Sequence, residues 1–191
     1  MRRTILLPAA AVLVALAALA GCSSSPPSSS PGTTSIIVDT AATTAGEPAG
    51  VVSYSGMTQN HVDGVVNYQQ TPPVGGDHSA VWQTCQFYAT PIGNVHGVHS
   101  MEHGAVWITY QPTLPADQIA LLKPLAGPPA EVLVSPYPGL PAPVVATAWG
   151  KQLLLQSASD PRLAQFVKFF ENGPQTPEQN APCDGGTTAG S

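Results

Sequence analysis

Ala105, Trp107 and Thr109 alternate along the chain with Val106, Ile108 and Tyr110, and both sets are largely apolar. A strand buried on one face alternates apolar with polar, so this pattern predicts a central strand covered on both sides. "EVLVSPYP" (131–138) predicts a second strand, with Pro136 ending its pairing because proline has no N–H to give a ladder. "PVVATAWGKQLLLQS" (143–157) predicts a β-hairpin turning near Gly150. Residues 51–69 mix β-branched and aromatic side chains with turn signals, which suggests short strands around Asp63-Gly64. "CQFYATPI" (85–92) suggests one more short strand.

The spacing changes to a helical period twice. In "LPADQIALLKPLAG" (114–127), Ile119, Leu122 and Leu125 form the inward stripe, Pro115 fits the first turn, and Pro124 ends or kinks the helix. In "DPRLAQFVKFFENG" (160–173), Leu163, Phe166, Val167 and Phe170 form an apolar face, Asp160 can cap the N-terminus, and Gly173 lies just past the end. "TPPVGGDHSAVW" (71–82) crowds two prolines and two glycines into six positions, so it predicts an ordered loop. Strands and helices fall in separate blocks. The predicted fold is α+β: a small, mostly antiparallel sheet with two helices packed on it.

The ends differ in character. "MRRTILLPAAAVLVALAALAGC" has a basic start and an apolar run, the two parts of a secretory signal, and its end at Leu19-Ala20-Gly21-Cys22 resembles a bacterial lipobox. That resemblance implies removal of residues 1–21 and lipidation of Cys22, which anchors the mature chain to a membrane on the outer side of the cytoplasm without spanning it. Residues 22–50, rich in Ser, Thr, Pro, Gly and Ala, predict a disordered tether in which Ile36-Ile37-Val38 is given no structure. Residues 51–185 form one domain by size, and residues 186–191 predict a disordered tail.

Charge narrows the partners. Loss of Arg2 and Arg3 leaves Lys123, Lys151, Arg162 and Lys168 against eleven acidic side chains. A chain so short of cations is not expected to bind nucleic acid, where Lys and Arg must neutralise phosphates. Of three cysteines, Cys22 is taken by lipid, and Cys85 and Cys183 are expected to pair in an oxidising compartment. The alternative is that both serve as soft metal ligands.

Six spaced motifs occur in order: "HVDGVVNY", "TPPVGGDH", Trp82-x-x-Cys85-x-x-Tyr88, "HSMEHGAVWITYQP", "SPYPGLPAPVVATAWG" and "GPQTPEQNAPC". Together, over about His61 to Gly185, they resemble the DUF3105 domain family. The resemblance implies a secreted or lipid-anchored domain of actinobacterial type, and it implies no activity. Gln86 stands where the family pattern usually has Gly, and Met101 where it usually has Leu.

All five histidines, His61, His78, His96, His99 and His103, fall within 43 residues. His96 lies outside the motifs, in a Gly/Asn turn, and is expected at the surface. "HSMEH" (99–103) has the H-x-x-E-H spacing of inverted zinc proteases. That chemistry wants both histidines on one helix face, whereas these residues run straight into Gly104 and a strand, with no N-cap or amphipathic helix around them. An extended segment would hold them about 13 Å apart, so residues 98–103 must form a tight turn or one helical turn if they are to chelate.

Three uses of the cluster remain. His78, His99, His103 and Glu102, with His61, can hold one zinc or copper ion, with Asp77 orienting His78; a thioether from Met57 or Met101 would favour copper(I). The same groups can instead form a hydrogen-bond network that fixes the loops on the sheet of a partner-docking domain. A metal-dependent hydrolase is third, because it needs an open coordination position besides. No G-x-S-x-G elbow is present for serine hydrolysis.

Overall fold

The computed structural model describes residues 37–39 and 44–191. The expected signal segment, Cys22 and most of the expected tether lie outside the described residues. Among those described, no helix is long and apolar enough to cross a membrane.

The strands are β1 (Ile37–Asp39), β2 (Val52–Ser55), β3 (Val106–Tyr110), β4 (Val132–Pro136), β5 (Val144–Ala148) and β6 (Lys151–Leu155). The helices are α1 (Asn94–His103), α2 (Ala116–Leu122), continued by a single 3-10 turn at Lys123–Leu125, and α3 (Pro161–Phe170). One sheet runs in the order β1-β2-β6-β5-β3-β4. Only β3 and β4 are parallel, and α2 makes the crossover between them; every other pair is antiparallel. The fold is α+β, as the separated blocks predict.

β3, β4 and β5 are buried at every position. Alternation along β3 explains this. Val106, Ile108 and Tyr110 join the cluster of Leu122, Leu163, Phe166 and Phe170 from α2 and α3. Trp107 joins Val98 and Met101 of α1, with Ala105, Leu133, Trp149 and the half-cystines Cys85 and Cys183. The sheet is therefore covered by α2 and α3 on one face and by α1 with its loops on the other. The β5–β6 hairpin turns at Gly150, whose φ of +67° is costly for other residues. At α3, the Asp160 side chain accepts a hydrogen bond from the Arg162 N–H, as its N-cap position predicts.

Several expectations need correction. Residues 94–103 form a third helix where two helices are predicted; the helical option for 98–103 holds, and His99 and His103 share one helix face, contrary to the expectation that no helix surrounds them. "CQFYATPI" is no strand: Phe87 makes an isolated bridge to Val134. Of residues 51–69 only β2 is a strand, and the rest is loop. Ile37–Asp39, given no structure from the sequence, pairs with Ser53–Ser55. The C-terminal residues are docked, not loose: Thr84 N–H donates to the Thr187 carbonyl, Thr187 N–H to that of Trp82, and Ser191 N–H to that of Pro91.

Candidate metal centre

Three chain segments meet at the end of α1. The helix itself supplies His99, Glu102 and His103, all buried. It stops at Gly104, which sits at φ +118° and closes the last turn through its N–H to the Met101 and Ser100 carbonyls. A Cβ at Gly104 would collide with Asn172, so glycine is required there twice over. The second segment is the Pro/Gly loop. A bridge between His61 and His78, with Val62 N–H on the His78 carbonyl (2.8 Å) and His78 N–H on the Asn60 carbonyl (3.0 Å), sets these two histidines side by side. The third is the C-terminal segment, where Glu178 N–H donates to the Glu102 carbonyl (3.0 Å). Cys183 is bonded to Cys85, with their Cα atoms 5.4 Å apart. The expected disulfide is present, so neither cysteine is a metal ligand.

The ring tautomers follow from the backbone. His78 Nδ1 lies 2.8 Å from the Gly76 carbonyl, His99 Nδ1 2.6 Å from that of Ser79, and His103 Nδ1 2.7 Å from that of Pro182. A carbonyl oxygen only accepts, so each Nδ1 carries the proton, and each neutral ring keeps its lone pair on Nε2. Those Nε2 atoms face other acceptors. His99 Nε2 is 2.9 Å from His103 Nε2. His78 Nε2 is 2.8 Å from Glu102 Oε2, a contact that becomes a hydrogen bond only when the ring is protonated and donates to the carboxylate. His61 Nε2 stands 3.9 Å from the same carboxylate oxygen. The rings of His61, His78 and His99 lie within 5.0 Å of one another, centroid to centroid. Trp82 packs against His99 and His103, with centroids at 5.7 and 4.9 Å.

Burial and neighbours shift two of the rings in opposite directions. Burial lowers the His99 pKa to about 4; the Ser79 carbonyl works against this, and the charges of His103, His78 and His61 add to it. Burial also disfavours a charged His78. Its hydrogen bond with Glu102, the Gly76 carbonyl, and the charges of Glu102 and Asp77 outweigh that and raise its pKa above the usual imidazole value.

Two groups of donor atoms lie within 4.8 Å of one another: His61, His78, His99 and Glu102, and separately His99, His103 and Glu178. An ion about 2.0–2.1 Å from each nitrogen would place tetrahedral neighbours about 3.3 Å apart, so both groups are of chelating size. The sequence places four histidines and Glu102 here, and the structure brings all five together. Asp77, expected to orient His78, bonds Asn60 instead, and the Gly76 carbonyl takes the orienting role. Met101 packs in the core, and Met57 packs near Gly75 and Trp149. His96 is half-buried, with Nδ1 on the Val81 carbonyl (2.6 Å). Sequence reasoning misses Glu178 and Trp82. A signal for Glu178 was available: the Cys85–Cys183 bond ties the chain just after it to the loop just after His78.

A family model described as "Protein of unknown function (DUF3105)" matches residues 61–185. No curated protein and no solved structure matches the chain.

Proposed function

Because the chain belongs to the DUF3105 family, whose description assigns no chemistry, we propose a function from the site itself: the domain binds a divalent transition-metal ion, zinc or copper(II), through His61, His78, His99 and Glu102. One observation carries this. Backbone carbonyls hold the Nδ1 protons of His78 and His99, so their Nε2 lone pairs point inward, and His78 Nε2 meets a carboxylate oxygen at 2.8 Å. Two acceptors at that distance need a cation between them, either a proton or a metal. Carbonyl-oriented imidazoles are the usual support of a metal centre, and an all-nitrogen-and-oxygen donor set favours zinc or copper(II) over copper(I). His78 and Glu102 are almost fully buried, so the exposed His61 is the member of this set that faces solvent. Cys22 after an apolar leader supports a further part of the proposal, that the domain works outside the cytoplasm on a lipid anchor.

A hydrogen-bond network without metal is the competing reading. It is favoured by the same three Nδ1 contacts, which tie α1 and His78 to residues 76, 79 and 182. Metal analysis of untagged protein taken from its native membrane fraction separates the two. The metal reading expects stoichiometric zinc or copper, lost on His78→Ala with the fold retained. The network reading expects none, and a large loss of stability in the same variant.

A further inference from the structure

The cluster contains two acceptor-to-acceptor contacts, not one. Besides His78 with Glu102 at 2.8 Å, His99 Nε2 faces His103 Nε2 at 2.9 Å. Both of these last rings give their Nδ1 protons to carbonyls, so two lone pairs point at each other in a buried setting. Glu178 Oε2 lies 3.5 Å from His103 Nε2. Each contact needs a cation of its own.

We propose that the site accepts two divalent transition-metal ions side by side, the first on His61, His78 and Glu102, the second on His99, His103 and Glu178. This rests on the metal reading above. The donor groups divide evenly, two imidazoles and one carboxylate to each ion. A single Nε2 lone pair serves only one ion, so His99, which lies within reach of both groups, must be assigned. Its short contact with His103 places it in the second set. With one ion bound, His99 completes the first set; the second ion takes it over, and water fills the vacated position.

His99 stands between the two sets: its ring centroid is 4.8 Å from that of His78 and 4.5 Å from that of His103, so it can serve either ion. Access fits as well. Each set has one member open to solvent, His61 with 49% of its side chain exposed and Glu178 with 54%. Each ion can therefore enter and keep a water ligand. Glu102 and Glu178 offset two of the four positive charges, and the nearby Asp77 carboxylate, whose charge acts on His78, offsets more. The second position exists only because the C-terminal segment is docked, since Pro182 sets the His103 ring and the disulfide holds Cys183 next to it.

Copper(II) titrated into chelator-stripped, untagged protein tests the pair. Retained copper is counted after ultrafiltration, and the half-field electron paramagnetic resonance signal reports two ions in close proximity. The expected result is two equivalents with a half-field signal for the wild type, and one equivalent without that signal for Glu178→Gln. Glu178 is exposed, so this variant should fold, and its melting temperature checks that it does. A wild type that stops at one equivalent overturns the pair and leaves the single-ion reading standing. Two equivalents retained by Glu178→Gln also overturn it. A wild type that retains no copper removes both readings.

Discussion

His99 illustrates how one residue's surroundings set its chemistry. It is buried, its Nδ1 proton is held by Ser79, and three other imidazoles stand around it, so its pKa falls to about 4. The unfolded chain would protonate the same ring near pH 6.5. A depressed imidazole contributes stability that is present above pH 6.5 and is lost as pH falls from 6.5 to 4, because only the unfolded state gains the proton. His78 acts oppositely: its raised pKa gives stability present below pH 6.5 and lost as pH rises through the folded value. Melting temperature of the metal-free protein between pH 7 and 4 should therefore fall more steeply for the wild type than for His99→Gln. Equal slopes would show that His99 is not held neutral. The histidines were legible in the sequence because they crowd into one segment of a chain with few charges. Which nitrogen each one offers was not, since that depends on carbonyls of Gly76, Ser79 and Pro182 brought in by tertiary structure.

At the scale of elements, α1 is where sequence reasoning fails. Gly93 precedes it with no side-chain cap, and the helix contains Gly97, Val95 and Val98, all poor helix formers. Residues 97–103 are all buried, so polar and apolar positions do not separate into faces and the helical period disappears from the pattern. Packing against Trp107 and the loops supplies what propensity lacks. Gly97 tests this. In isolation, replacing a mid-helix glycine by alanine should stabilise by about 1 kcal/mol. Here a Cβ would lie 2.8–3.0 Å from three atoms of the buried Trp107 ring, so Gly97→Ala should instead destabilise by about 1–3 kcal/mol. Chemical denaturation measures the sign directly, and stabilisation would mean that α1 and β3 are less tightly packed than described. β3, the β5–β6 hairpin and α3 were legible, because there the local pattern and the packing agree.

The whole molecule is closed by its C-terminus. Residues 186–191 look like a loose tail because glycine, threonine, alanine and serine carry no apolar pattern, yet they dock through backbone hydrogen bonds that leave no mark on side-chain choice. Cys85–Cys183 holds this segment against the loop 82–85, and it spans 98 residues of sequence. Replacing both cysteines by serine should cost about 2–5 kcal/mol and should weaken metal binding at His103 and Glu178 more than at His78. Hydrogen exchange of residues 178–191 would show the loosening; unchanged protection would contradict it. An ion held between the inward lone pairs would be visible by anomalous X-ray diffraction from crystals grown with zinc, recorded on both sides of the zinc absorption edge. The expected map has a peak about 2.0–2.2 Å from His78 Nε2 and from a Glu102 carboxylate oxygen, with the Nδ1 contacts to Gly76 and Ser79 unchanged. A map with no peak among His61, His78, His99 and His103, with His78 and Glu102 still in contact, would contradict it.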